Sequence, residues 1–364
     1  MNEVRVFAPG SLFVIGEYAV LHGERALVAA VDSGIECRAA EAAGWWLSAP
    51  DLGVDMPLED VPRDSGAGLL AEAVHAGDAV FTGPGPLRVT VRGHGWGAGR
   101  KIGLGGSAAS VVAVLGALAA ASGHDVTSPA LRRALLPAAV DVHRAHQGGR
   151  GSGGDVAAGV LGGWVDYRTV DGTPHAEPAV VPPRPHLAVA WSGLSASTPA
   201  GIDRFHRMGK AGVDRFLTAL HDELDRFWAA SRAGDWTGFQ HALSAYGAVL
   251  DDLAHRLAPG EAARMALLTR AAAERGVAAK SSGTVGGDCV IAVGPDGAPL
   301  AEVRKAWRRL DAVPLDVAPD TGGLRLLGTD GTDGMDGSGG RPTGPYTTGA
   351  GGHDRSPDVG EVSR

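Results

Sequence analysis

A helix without a polar face has to be covered on every side, and one such segment governs this chain. The stretch "SAASVVAVLGALAAASG" (107–123) is apolar nearly all round, the mark of a helix buried in a core, with a stop at Gly123. It follows directly on the glycine-rich "KIGLGG" (101–106). Such a junction leaves the first-turn N–H groups free, and with the helix dipole it makes an anion site. Glycines let the backbone approach phosphate oxygens, and the hydroxyl of Ser107 at the helix start is able to ligate Mg²⁺. A helix cap without ligand uses the same residues, and this stretch alone leaves both readings open.

Two better-known phosphate loops fit less well. The pattern G-x-x-x-x-G-K-[ST] is absent. A G-x-G-x-x-A fingerprint can be read at Gly103, Gly105 and Ala108, with Asp125 at a suitable distance. Asp125, however, follows the helix in "SGHDVTSP" rather than ending a second strand, so the βαβ context fails.

Three further stretches carry chemistry. "APGSLFVIGEYAVLHG" (8–23) breaks a hydrophobic strand with Gly-Glu-Tyr. "KSSGTVGGDCVIAV" (280–293) places Gly283, Gly286 and Gly287 around a turn that feeds a β-branched strand, with Asp288 and Cys289 buried beside it; taken alone, it reads as a tight hairpin turn. In "HRAHQGGRGSGGDVAAGVLGGWVDY" (143–167), Asp155 follows a Ser-Gly-Gly turn and reads as a helix N-cap or as a catalytic carboxylate. His143 and His146 at i, i+3 lack a matching third and fourth ligand, so they read as core or solvated histidines rather than a metal site.

The 364 residues suffice for two cores, and the chain turns from strand-rich to helix-rich near "VVPPRPHLAVAW". Strand-like runs dominate before it ("VRVFAP", "LFVIGEYAVL", "ALVAAVDSGIECRAA", "LRVTVRG", "GWVDYRT"), interrupted by the buried helix and by "SPALRRALLPAAVDVHRAHQ" with its Ser-Pro start. After residue 200 come "GIDRFHRMGKAGVDRFLTALHDELDRFWAASRAG" and two more helical runs, then the third glycine stretch, the helix "LAEVRKAWRRLD" and a last strand. The expectation is an α+β protein with domains at 1–182 and 183–327, and a disordered Gly/Asp-rich tail at 328–364 with too little apolar surface to offset its ordering entropy. A net charge of −8 argues against nucleic acid as partner. Two cysteines, Cys37 and Cys289, are too few for a disulfide framework and point to the cytoplasm; no leader-like segment or membrane-length apolar run is seen.

The order of these motifs resembles the GHMP kinase superfamily of galactokinase, homoserine kinase, mevalonate kinase and phosphomevalonate kinase. "APGSLFVIGEYAVLHG" looks like its first motif, "GLGGSAAS" its second and "SSGTVGGDC" its third. Details are most similar to the phosphomevalonate kinases: Gly-Glu-Tyr-Ala-Val at 16–20, Lys101 before Gly-Leu-Gly, Gln147 through Ala157, and "WSGLSASTPAGID". Tyr18 stands where mevalonate kinases more usually have His. The resemblance implies an N-terminal domain like domain 2 of ribosomal protein S5, a ferredoxin-like C-terminal domain, and a site between them. It implies transfer from ATP with Mg²⁺ to 5-phosphomevalonate, a monomer or homodimer, and no membrane partner. Mevalonate kinase or another small-molecule kinase of the superfamily is the alternative, and a nucleotide-binding homologue without turnover is another.

Carried across by position, Gly103, Leu104, Gly105, Gly106, Ser107 and Ala108 would hold ATP, with the metal at Ser107 and Asp155. Asp155, Lys101 and the residue at position 11 would be catalytic. Tyr18, Ser152, Gly153, Ser197, Ser282 and Gly283 would hold the acceptor. Three positions depart from the family pattern. Ser11 stands where the first motif carries Lys, so another cation, with Lys101, Arg150 and Arg204 as candidates, would have to supply the positive charge. Gly106 replaces a Ser, and Thr284-Val285 replaces Ala-Gly, which implies a tighter or reshaped acceptor pocket.

Overall fold

The computed structural model describes residues 3–81, 85–94, 102–284 and 287–328. Lys101, Val285, Gly286 and the expected tail beyond Gly328 lie outside the described residues.

The chain opens with two long antiparallel strands, β1 (Val4–Ile15) and β2 (Ala26–Glu41), joined by a 3₁₀ turn at Ala19–His22. The two runs read as separate strands, "VRVFAP" and "LFVIGEYAVL", are one strand with a bulge between Pro9 and Gly10. Asp32 and Ser33 of β2 have no partner on β1 at this shift, and the alternation of β1 is inverted across it. Val6 and Ala8 before it face one core, as Phe13 does after it, whereas Leu12 and Val14 face the other. Ser11 shares the parity of Phe13.

β3 (Trp46–Ala49) and β4 (Val54–Pro57) form a hairpin, followed by α1 (Gly68–Val80) and β5 (Leu87–His94). Then come α2 (Gly106–Ala121), α3 (Pro129–His146), α4 (Gly154–Leu161), β6 (Trp164–Val170) and β7 (Thr173–Pro178). Ser128 caps α3, its hydroxyl accepting from Leu131 N at 3.1 Å, as the Ser-Pro signal implies. β2 pairs with β1 along one edge; on the other it pairs with β6 through Ala26–Ala29 and with β5 through Gly34–Glu41. Helix α2 is buried almost throughout among β1, β2, α1, α3 and α4.

The second sheet has the order β11-β8-β10-β9: β8 (His186–Trp191), β9 (Ala279–Ser282), β10 (Cys289–Gly294) and β11 (Val313–Leu315). Between β8 and β9 run α5 (Thr198–His206), α6 (Gly209–Ala233), α7 (Trp236–Leu257) and α8 (Pro259–Ala273), and α9 (Gly297–Arg309) follows β10. The single run read from residue 201 is broken into α5 and α6 at Gly209, whose φ of 68° interrupts the helix. Strand residues alternate: Ala188, Ala190, Val290 and Ala292 pack on α8 and α9, while Leu187, Val189, Ile291 and Val293 face the other way.

That other face and the second face of β1 and β2 form one core. Leu12, Val14, Leu27, Ala29 and Val31 share it with Phe216, Leu220, Phe239 and Tyr246 of α6 and α7. A strand covered on both faces reads as a continuous apolar run, which is why "ALVAAV" in β2 shows no alternation. The chain then returns to the first sheet, where β12 (Arg325–Leu326) pairs with Val6 and Phe7 of β1.

A buried ion pair fastens the second sheet to the end of β1. Lys280 of β9 and Glu17 are both essentially inaccessible and bonded to each other. Ser282 Oγ donates to Phe13 O at 2.9 Å, and Tyr246 OH donates to Glu17 O at 3.0 Å. Desolvation pushes Glu17 up and Lys280 down from their usual ranges, and each partner's charge opposes that shift. Removing one member strands a buried charge, a loss of about 3–5 kcal/mol. Lys280→Met is therefore expected to destabilise the fold by about that amount, and Lys280→Met with Glu17→Leu by much less, measured by urea denaturation.

Candidate active site

Three helices begin at one cavity of about 810 Å³ and its adjoining recess of about 80 Å³. Gly105, Gly106 and Ser107 bring the start of α2, Gly153 and Asp155 that of α4, and Ser197, Thr198 and Pro199 that of α5. Each helix start presents the positive end of a dipole, although in α4 the Gly154 N–H is taken by Ser152 Oγ at 3.2 Å and in α5 the Ala200 N–H by Ser197 Oγ at 3.4 Å. Gly103 and Leu104 line the cavity beside α2, and the hairpin β9–β10 contributes Ser282, Gly283, Thr284 and Asp288. Tyr18, Ser152 and Gly153 line the recess, which shares Phe13, His143, Asp155, Thr198 and Gly283 with the larger space.

Two glycines of the α2 loop are required by contact as well as by backbone angle. Gly103 (φ 77°) and Gly105 (φ 66°) are left-handed, and a Cβ would collide with the Asp288 side chain at the first and with Ser11 Oγ at the second. Ser11 N donates to Leu104 O at 3.0 Å, so β1 and this loop are stitched together by backbone. Ser11 is 2% exposed, and its hydroxyl donates to Asp155 Oδ1 at 2.8 Å. Asp155 sits in the first turn of α4 after Gly153, which is the N-cap, so its carboxylate is not used for capping.

The turn before Asp155 is clamped from below. Arg144 donates to the carbonyls of Gly151 at 3.1 Å and Ser152 at 3.0 Å, and Tyr167 OH donates to Ser152 O at 2.5 Å. On the far wall, Asp288 Oδ1 accepts from Ala196 N at 3.0 Å, holding the loop that leads into α5. Tyr18 takes φ 60°, rare for an aromatic residue, with its ring 4.8 Å from Phe205 and its hydroxyl 2.9 Å from Thr284 Oγ1. Thr284, one of the departures from the family pattern, thus pins the Tyr18 hydroxyl at the edge of the recess.

Of the residues assigned from sequence to ATP, acceptor or catalysis, all but two line these two spaces. Ala108 is fully buried in the core instead, and Lys101 lies outside the described residues. Ser282 lines the cavity with its hydroxyl bonded to Phe13 O. Of the candidate replacement cations, Arg150 pairs with Asp203 at 2.8 Å, and neither it nor Arg204 lines the cavity. Arg92 does, and sequence reasoning missed it: it lies on a strand with no motif around it. Among the described lining residues it is the one Lys or Arg.

His143 and His146 divide as the sequence implies, one in the core and one at the surface, but His143 also touches the site. It is 6% exposed, and its Nε2 lies 3.0 Å from Ser107 Oγ, whereas His146 turns outward to Glu72 at 3.2 Å. Burial, and secondarily the neighbouring His146, push its pKa down to about 4. Among the described residues no cluster of three His, Cys, Asp or Glu is placed to hold a metal. Ser107 and Asp155 are oxygen donors facing one cavity, which suits Mg²⁺ arriving with phosphate oxygens and keeping several waters.

Residues 71–163 match the family described as GHMP kinases N terminal domain. The chain is 31% identical to a phosphomevalonate kinase of Streptomyces sp. (strain CL190), over 87% of this chain and 97% of that protein. Among solved structures it is similar to a protein from Listeria innocua (24% identity, 90% of this chain and 99% of the other, TM-score 0.77). It is also similar to Streptococcus pneumoniae phosphomevalonate kinase in complex with phosphomevalonate and AMPPNP (22% identity, 88% and 100%, TM-score 0.75). These structural likenesses establish the fold as the one expected from the motifs.

The neutral His143 carries a stability signature. An unfolded chain protonates this residue near pH 6.5, the folded chain near 4, so the unfolded state holds more protons between those values. Stability is expected to fall as pH drops from about 6.5 toward 4, and His143→Leu to flatten that part of the curve, read from urea midpoints against pH.

Proposed function

The chain belongs to the GHMP kinases, and on that premise we propose that it transfers the γ-phosphoryl group of ATP to 5-phosphomevalonate, giving the diphosphate and ADP. The observation that carries this reading is the opening of the α2 N-terminus and Asp155 onto one cavity. The 31% identity to a phosphomevalonate kinase along nearly its whole length supports the choice of acceptor.

In this reading the triphosphate lies along Gly103–Ser107, its oxygens taking the free N–H groups of α2. The acceptor occupies the recess near Tyr18, Ser152, Gly153, Ser197 and Gly283. A phosphate oxygen of the acceptor forms the new bond to the γ-phosphorus, and the bond to the β,γ-bridging oxygen breaks. The acceptor phosphate, with a second pKa near 6, is already ionised at neutral pH, so no residue has to remove a proton. Asp155 orients the reacting groups, held in place by the Ser11 hydroxyl. Bound Mg²⁺, with Ser107 and Asp155 as its protein ligands, would neutralise charge on the β- and γ-oxygens. We place the two functional halves at 1–182 and 183–327, with ATP held mainly by the first, to whose sheet the last residues of the second return as β12.

The test is ADP release with three acceptors. Mevalonate 5-phosphate is expected to give turnover well above mevalonate or homoserine. Faster turnover with either of the others would reassign the substrate. Thermal stabilisation by AMPPNP without turnover on any would instead indicate a binding-only homologue.

Ser11 gives a second test. One electrostatic donor at a transition state is typically worth about a hundred- to a thousandfold in rate. Ser11→Lys is expected to raise kcat at least tenfold, on the order of what a partly positioned donor restores. An unchanged kcat would show that position 11 has no electrostatic role. Near-full activity of Asp155→Asn at saturating Mg²⁺ would likewise remove Asp155 from the mechanism.

A further inference from the structure

A hydroxyl that ligates a cation must offer it a lone pair, so its hydrogen has to point elsewhere. Ser107 is exposed in the cavity at the second residue of α2, and without a partner its hydrogen would rotate freely. His143 Nε2 lies 3.0 Å from that oxygen. His143 belongs to the last turn of α3, and Gln147 stands four residues on, with its amide nitrogen 3.2 Å from the same Nε2. An amide nitrogen only donates, so Nε2 carries its single lone pair, which the Gln147 N–H and the nearer Ser107 O–H share.

We infer that His143 is a positioning residue for Ser107: its Nε2 accepts the hydroxyl hydrogen and turns the oxygen lone pairs into the cavity for the divalent cation. The inference rests on the reading of Ser107 as a metal ligand. It also gives Gln147 a part. Gln147 fixes the imidazole and reaches the turn that carries Asp155, so one side chain links the surroundings of both proposed ligands. His143 and Gln147 themselves line the cavity. Outer-shell partners of this kind typically change metal affinity about ten- to a hundredfold when removed.

The experiment measures AMPPNP binding by calorimetry, once with Mg²⁺ and once in EDTA, so that the gain due to metal is read without turnover. The full-length protein and its His143→Leu, His143→Gln and Ser107→Ala variants are compared. His143→Leu is expected to lose about ten- to a hundredfold of the Mg²⁺-dependent gain while its affinity in EDTA stays within about twofold. His143→Gln, which keeps an acceptor within reach, should retain most of the gain and control for loss of folding. Equal losses with and without metal would make His143 merely structural and overturn the inference. So would a full gain in His143→Leu when Ser107→Ala has lost it. If Ser107→Ala keeps the whole gain, the reading of Ser107 as ligand fails, and the proposal for His143 with it.

Discussion

Burial of α2 on every side is the constraint from which the rest of the molecule follows. With β1 and β2 beneath it and α1, α3 and α4 around it, only an end of this helix can meet solvent or ligand. Its N-terminal end does so at Gly105–Ser107, where the cavity lies. The loop before it can pack against β1 only because Gly105 lacks a side chain, which leaves space for Ser11 Oγ. The bulge at Pro9–Gly10 in turn sets the side of the sheet that Ser11 faces. Core packing, strand register and ligand geometry are therefore one problem here.

The electrostatics of the cavity are unusual for a site that handles several phosphates. Its described walls hold the carboxylates of Asp51, Asp155 and Asp288 and a single arginine, Arg92. Among the described residues, oriented backbone at the three helix starts is the main source of attraction for anions beside Arg92. Where relatives of the family pattern have an ammonium group, a small hydroxyl binds Asp155. The buried Glu17–Lys280 pair beside the recess is a separate matter. Its lysine is turned into the core and bonded to glutamate, so it supplies no free positive charge to the ligand space.

Much of this could be read from the chain before any coordinates. Glycine turns running into apolar helices announce themselves because both halves are local, and the loop 103–107, Asp155 and the β9–β10 hairpin lie together as their motifs imply. What was hidden depends on distant pairings. The break at Gly209 is one glycine inside a strongly helical run, and the unified β1 needs the bulge to be known. His143 looked like an ordinary core histidine because nothing in its own neighbourhood names Ser107, which lies 36 residues earlier. Arg92 reaches the cavity from a strand whose alternation speaks only of sheet. Lys280 sits in a motif yet turns inward, since Glu17, 263 residues away, waits for it in the core.

The segment after β11 has a consequence for how the chain is made. Asp320 accepts backbone bonds from Gly322 and Gly323 and donates its own N–H to Ala30 O at 2.9 Å, and Leu324 fills the space left by Gly116 of α2. Residues near 320 thus complete a layer whose first strand begins at Val4. During translation, at roughly 5–20 residues per second, β1 and α2 must wait with one edge and one groove uncovered until the residues near 320 have followed them out of the ribosome. An early-emerging half is thus finished only by late-emerging residues.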